Sequence, residues 1–433
     1  VLESLAPLVM QAEILAAQYD AVVANPPYMG GGGMNALVKK FAKDNFPDAK
    51  SDLFACFILR GFDLVSKNGR LGVVAPYVWM FIATYLELRR KVIENSRLTS
   101  LIQLEYNAFE PACIPVATFT VARCHVDSYR GSFIKLSDFR GHQNQAPRTL
   151  EAIGNPNCHW FYRTRPDDFS AIPGSPIAFW ASDRVLELFT AKKVSDLVEA
   201  KEGLKTGNND RFLRLWYEVG SKGKWKPIVK GGSFRKWYGN FEYVVNWGGD
   251  GSVLRSQGNS NIPNSKYLNR DFIAWSSLTS GTFSMRRIDG GALFETVSPG
   301  MFGSKSELKC LLSFYNSNLA NFLLGMVAPT LHYKIGPVLA LPFIEGLQNT
   351  HSDHPVQLTK SDWNAYERSW DFQSLPFLSA SSELVSTLES SYTTWITQNQ
   401  NTIAEMKCLE EENNRIFIDA YGLQDELTPE VPI

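Results

Sequence analysis

The sequence is poor in the residues that build metal centres and disulfide frameworks. Its six cysteines (56, 113, 124, 158, 310 and 408) include no Cys-x-x-Cys pair and several stand in apolar runs, so reduced thiols in a cytoplasmic protein are expected. The six histidines give one close pair, His351-x-x-His354, in a Thr/Ser/Asp/Pro stretch that reads as a surface loop, so no metal site is expected. Long hydrophobic runs are missing as well. The best of them, Leu308 to Leu331, is broken by Ser313, Asn316, Ser317, Asn318 and Asn321 and reads as a soluble helix, so no membrane partner is expected. No glycine run ends in Gly-Lys-Ser/Thr, which removes the phosphate loop of nucleotide hydrolases. Internal repeats, a signal peptide and an endonuclease constellation of paired acids with lysine are also lacking.

What is present is a 433-residue chain with 44% hydrophobic residues, enough for about two to four domains. Its net charge of −1 points to no partner, but the charge is unevenly spread. Between Lys201 and Asn240 ten Lys/Arg stand against three acids, a balance of +7. From His351 to Ile433 four bases stand against fourteen acids, a balance of −10.

Residues 1–145 alternate helix and strand patterns. "DAVVA" (20–24) and "GRLGVVAP" (69–76) are consecutive apolar runs, as strands buried on both faces are. Between them Ser51 is the expected N-cap of a helix with an apolar stripe through Leu53, Phe54, Phe57, Ile58, Phe62 and Val65. A helix near 85–94, a strand near 98–105 and a strand over 115–124, hairpinned with 131–136, complete an α/β pattern with a mostly parallel sheet. Residues 146–350 turn to Gly, Asn, Ser, Trp and Tyr with short strand-like runs. Residues 351–433 form an acidic, mostly helical segment.

The chemistry concentrates at Asn25-Pro26-Pro27-Tyr28, directly after "DAVVA" and before four glycines, Gly30–Gly33. Two adjacent prolines fix φ twice and donate no N–H, so the carbonyls around them are rigid and free to accept. The exocyclic amine of adenine is a poor nucleophile because its lone pair is drawn into the ring. Acceptors on its two hydrogens, here Asn25 Oδ1 and the Pro26 carbonyl, push that nitrogen toward tetrahedral geometry. Tyr28 offers a face for an extruded base, offsetting its unstacking, and the glycines offer a loop that closes over it. A strand end in a parallel sheet is where ligands bind.

At these residues the sequence resembles the amino-methyltransferases that modify adenine N6 in DNA with S-adenosylmethionine. The resemblance continues through "SDLFACFILRGFDLVSKNGRLGVVAPYVWM" (51–80) and "FEPACIPVATFTVAR" (109–123), where Phe109 takes the position of a Phe lying against the flipped base. "GLKTGNNDRFLRLWYEV" (203–219), "KGGSFRKWYGNFEYVVNW" (230–247) and "WNAYERSWDFQ" (363–373) extend it to the PglX family, the large methyltransferases of BREX phage-defence systems. The family's Gly-rich cofactor loop and ribose-binding acid precede Asn-Pro-Pro-Tyr, and here the chain opens at Val1 with neither. The resemblance therefore implies the C-terminal half of a Rossmann-like methyltransferase sheet (1–145), an α+β DNA target-recognition domain (146–350) and a helical C-terminal segment (351–433).

It also implies a set of site residues. Asn25, Pro26, Pro27 and Tyr28 are catalytic, Tyr28 and Phe109 contact the target base, and Asp20, Asn25 and Asp52 face S-adenosylmethionine. In the basic stretch, interleaved with aromatics, Lys205, Arg211, Arg214, Lys224, Lys226, Lys230, Arg235, Lys236 and Trp237 are the expected DNA contacts. Double-stranded DNA and other phage-defence proteins are the expected partners. The reading is an adenine-specific DNA methyltransferase whose present chain, alone, is inactive for want of the cofactor loop. The alternative is a DNA-recognition module that acts through partner proteins. A glutamine-modifying protein methyltransferase also uses Asn-Pro-Pro-Tyr but has no need of the long basic reader.

Overall fold

The computed structural model describes residues 2–109, 114–220, 223–279, 281–329, 331–344, 347, 352–379 and 387–432. Part of the 109–123 motif (110–113) and the 350/351 domain boundary lie outside them. The chain forms two compact units, Val1–Glu187 and Leu188–Ile433.

The first unit is built on a six-stranded sheet in the order β1-β2-β4-β3-β5-β6. Its strands are β1 (Tyr19–Ala24), β2 (Val65–Pro76), β3 (Arg97–Gln103), β4 (Val116–Ala122), β5 (Gly131–Lys135) and β6 (Phe161–Thr164). β1 runs parallel to β2, and β3 to β5, but β4 is antiparallel to both β2 and β3, and β6 to β5. The sheet is therefore mixed, and β4 and β5 form no hairpin, because β3 lies between them. The sheet also continues past residue 145 to Thr164. Arg89, fully buried, reaches further still. Its guanidinium donates to the carbonyls of Trp79 and Ile82 and to those of Gly174 and Ser175, and burial lowers its pKa to about 10, still charged at neutral pH.

Helix α3 (Leu53–Leu64) covers the sheet beside β1 and β2, after α1 (Leu2–Ala16) and α2 (Ala36–Asn45). Phe54, Ala55 and Ile58 are buried, and Gly61 lies so close to Leu71 that a Cβ there would meet its Cδ1 at 2.7 Å. The cap is Asp52 rather than Ser51, and β2 begins at Val65, with no turn at Asn68-Gly69. β1 is not buried on both faces. Among the described residues it pairs with β2 alone, and Val23 is 86% exposed.

The second unit holds two four-stranded sheets, formed by β7 (Glu199–Lys201), β8 (Leu213–Leu215), β9 (Trp225–Val229), β10 (Tyr243–Asn246), β11 (Phe272–Trp275), β12 (Met285–Ile288), β13 (Leu293–Phe294) and β14 (Gly300–Phe302). Their orders are β13-β9-β10-β8 and β12-β11-β14-β7. Helix Lys305–Tyr315 packs beside β11 and β12, helix Asn318–Val327 packs against it, and the long helix Leu388–Tyr421 packs on both helices. The acidic C-terminal segment is thus part of this unit's core, with Phe417, Ile418 and Tyr421 buried.

Candidate active site and nucleic-acid interface

β1, β2 and β3 point the same way, since β1 parallels β2 and both β2 and β3 oppose β4. Their carboxyl ends share one sheet edge, and the Asn-Pro-Pro-Tyr turn, Tyr77 and the turn that carries Phe109 all follow from it. Pro26 is buried and anchors the turn, while Asn25 and Pro27 are exposed. The Tyr28 hydroxyl lies 3.3 Å from Asn25 Oδ1 and 3.4 Å from the Val74 carbonyl oxygen, sharing its one proton between two acceptors. Its ring stands edge-on to Phe54 (centroids 6.4 Å apart, 88° between planes), and burial raises the phenol's pKa. The acceptor and the aromatic face are thereby held together.

The chain leaving this turn is clamped to α3. Met29 N–H donates to Asp52 Oδ1 at 2.9 Å, the oxygen that also caps Phe54 N–H at 3.3 Å, and Leu53 N–H returns to the Met29 carbonyl at 3.2 Å. Gly31 N–H donates to the Ser51 carbonyl at 3.0 Å. Beyond that anchor the glycines are open. A Cβ would meet only the Ser51 carbonyl oxygen, 4.0 Å away, at Gly31 and nothing within 4 Å at Gly32, and neither has a positive φ. The fold itself does not call for glycine there.

Phe109 is half-exposed, on a turn fixed by Glu105, whose carboxylate accepts from Asn107 N–H (2.9 Å) and Gly141 N–H (3.2 Å). It shares the edge with Tyr28 but follows β3, three strand spacings from β1, about 14 Å. No ring contact joins the two among the described residues. Tyr77, which the sequence reading missed, lies between: burial first, then Tyr106 and Glu105, raise its pKa. A tyrosine directly after the Pro76 that ends β2 was the available signal.

Asp20 lies apart from Asn25 and Asp52. It stands at the opposite end of β1, five residues or about 16 Å before Asn25, where it accepts from Ser66 Oγ at 3.0 Å. Asn25 and Asp52, with the open glycines, do stand at the carboxyl edge: Asp52 Oδ2 lies 3.5 Å from where a Gly30 Cβ would stand.

The basic stretch divides. Lys205, Arg211 and Lys224 are exposed, and Arg214, Lys226 and Lys230 are half-buried, with Lys224, Lys226 and Lys230 each over an aromatic ring 5.5–5.8 Å away. Arg211 also donates to Gln257 Oε1, and Arg214 to the carbonyls of Asp210 and Leu213. Lys236 and Trp237 are mostly buried. Lys236 Nζ pairs with Glu410 Oε2 at 2.8 Å, the side chains being 16% and 12% exposed, and the buried Trp237 donates Nε1–H to Glu410 Oε1 at 2.8 Å. Both are held inside by the C-terminal helix. Arg235 is also engaged, with Asp362 at 2.9 Å. No group of residues able to hold a metal occurs among the described residues, and no helix of them is long and apolar enough to cross a membrane.

The family model for the Eco57I restriction-modification methylase matches residues 8–109. An adenine-specific methyltransferase PglX of Lacticaseibacillus casei (strain Zhang) is 36% identical over 98% of this chain and 38% of its own length. An adenine-specific methyltransferase BrxX of Escherichia coli O9:H4 (strain HS) is 34% identical over 98% of this chain and 36% of its own. The chain thus spans little more than a third of these curated relatives. Among solved structures, the Type IIL restriction-modification enzyme MmeI in complex with DNA shares the fold, with a TM-score of 0.57 at 13% identity over 94% of this chain and 55% of that one. From the Asn-Pro-Pro-Tyr turn onward, over nearly its whole length, this chain is related to the PglX family of adenine-specific methyltransferases.

Proposed function

We propose that this chain provides the methyl-acceptor site and the DNA-recognition unit of an S-adenosylmethionine-dependent N6-adenine DNA methyltransferase that marks host DNA in a BREX-type phage-defence system. The observation that carries the reading is the exposed Asn25 at the carboxyl end of β1, its Oδ1 held beside the Tyr28 hydroxyl. Asn25 Oδ1 and the Pro26 carbonyl accept the two amine hydrogens of an extruded adenine, which draws N6 toward tetrahedral geometry and frees its lone pair. Tyr28 offers the face on which that base stacks, and the Tyr28 hydroxyl gives up its place on Asn25 as the amine arrives. S-adenosylmethionine supplies the methyl group; Asn25, Asp52 and the glycines form one wall of its site. No acid or base is needed before attack, in keeping with a turn that has none.

Three further points belong to the same reading. The outer edge of β1, unpartnered among the described residues, suits the second half of a Rossmann-like sheet completed by further strands. This chain alone is then expected to lack methyl transfer. The exposed bases of the second unit contact duplex DNA in the cytoplasm, and other phage-defence proteins assemble around them. The test uses the native full-length protein. Asn25→Ala and Tyr28→Ala should each abolish N6-methyladenine, read by mass spectrometry of digested DNA, while duplex affinity stays within about twofold, since the phosphate contacts are elsewhere. Full methylation by Asn25→Ala would refute the assignment.

A further inference from the structure

The loop Lys230–Lys236 is fastened at its base and open at its tip. Gly232, at φ +131°, lets the chain turn where a Cβ would stand 2.9 Å from Asn240 Cγ, and Asn240 Nδ2 donates to the Ser233 carbonyl at 2.6 Å. The buried Arg286 donates to the Arg235 carbonyl (3.2 Å) and to Ser276 Oγ (3.1 Å), and Ser276 Oγ donates to the Gly232 carbonyl (3.3 Å). Just beyond the loop, Trp237 N–H bonds the Met285 carbonyl at 2.8 Å. Between these fastenings Phe234 rests on Gly281, which leaves room for its ring, and remains 49% exposed. A phenylalanine fixed by so many bonds yet left half in water forgoes the gain of burial.

It does not stand alone. Leu278, Val297 and Leu331 are also exposed, on segments stitched to the same place: Ser277 N–H to the Val297 carbonyl (2.9 Å), Thr279 N–H to that of Leu331 (3.1 Å), Tyr333 N–H to that of Ser277 (2.8 Å). The described residues of these segments, 230–235, 276–279, 281–283, 296–298 and 331–334, carry Lys230, Arg235 and Lys334 and no carboxylate; from outside them Asp362 pairs with Arg235 and the buried Glu295 faces Lys230. An apolar centre flanked by the lysines Lys230 and Lys334 matches a polyanion with an apolar interior, which is stacked duplex DNA.

We propose that Phe234, supported by Leu278 and Leu331, is a wedge that enters between base pairs of duplex DNA while Lys230 and Lys334 hold the flanking phosphates. The proposal rests on the DNA-recognition reading of the second unit. It is tested on the native full-length protein with a recognition-site duplex carrying 2-aminopurine at successive positions. The protein should raise fluorescence at one base step. Phe234→Ala should lose that rise and bind the intact duplex about tenfold or more weakly, because the unstacking is no longer compensated. The same variant should bind a duplex mismatched at that step within about twofold of the unsubstituted protein, and Phe234→Trp should restore the rise. Leu331→Ala, at a second exposed position, should reproduce a weaker form of the loss, and unchanged circular dichroism secures the fold of each variant. Unchanged fluorescence and affinity in Phe234→Ala, or equal weakening on intact and mismatched duplex, overturns the wedge and leaves the DNA reading standing. Failure of the unsubstituted protein to bind duplex DNA overturns both.

Discussion

Met29 and Asp52, twenty-three residues apart, are joined by a 2.9 Å hydrogen bond from amide to carboxylate, so the exit of the Asn-Pro-Pro-Tyr turn and the start of α3 are one rigid piece. Asp52 serves two masters there, capping the helix and holding the turn. Asp52→Ala should cost about 1 kcal/mol in stability, the value of an N-cap. Adenine methylation should fall much further, by about tenfold or more, as the turn loosens and its acceptors lose alignment. Asp52→Asn, still a good cap, should recover stability. Urea titration beside the methylation assay separates the two effects, and activity that merely follows the folded fraction would argue against the clamp.

Gly32 gives the reverse split. A Cβ there meets nothing within 4 Å, so Gly32→Ala should leave stability unchanged or raise it by about 0.4–1 kcal/mol through the unfolded chain. A loop that must close tightly over a nucleotide tolerates it less well. The expected result is an unaltered or higher urea midpoint with reduced kcat, and a variant with full kcat would show that the open glycines have no part in closure.

The Glu410 carboxylate satisfies Lys236 and Trp237 together. Removing it strands a mostly buried ammonium and an indole N–H. Glu410→Ala should therefore destabilise the second unit by about 3 kcal/mol, whereas a change at a solvated face costs within about 0.5 kcal/mol. Denaturant unfolding of the variant decides between a core ion pair and a surface one.

Glu295 makes stability depend on pH. Its side chain is buried with Oε2 unpartnered, and burial raises its pKa above 4.5, with Lys230 opposing. The folded state thus holds its proton more tightly than the unfolded state does. That contribution is fully present below about pH 4.5 and is lost as pH rises through the higher folded value. Glu295→Gln should flatten the change over this window. Urea midpoints of both proteins across mildly acidic pH would reveal it, and parallel curves would count against it.

How far the sequence could be read varied with the range of the forces involved. β2, β3 and β4 were legible because their apolar runs are long, and α3 because its stripe is local. Parallel and antiparallel pairing leave the same period-two pattern, so the placement of β3 between β4 and β5 was not. The rigid turn over Asn25 to Tyr28 was legible because prolines act on their immediate neighbours. Trp237 in a basic stretch reads as a surface aromatic; its partner, Glu410, is 173 residues away, and no local pattern carries that. Asp20 stands apart from Asn25 because a strand puts residues five apart at opposite ends.

β1 has a row of backbone donors and acceptors along its outer side that no described residue takes up, and Val23 stands 86% exposed above it. A bare strand of this kind is a template for any other extended chain, including a second copy of itself. Handled alone at high concentration, this polypeptide will therefore grow intermolecular β-sheet from Tyr19–Ala24, and its yield will depend on how quickly that edge is covered. A lysine in place of Val23, standing on the exposed face, is the smallest change that turns the template into a repellent.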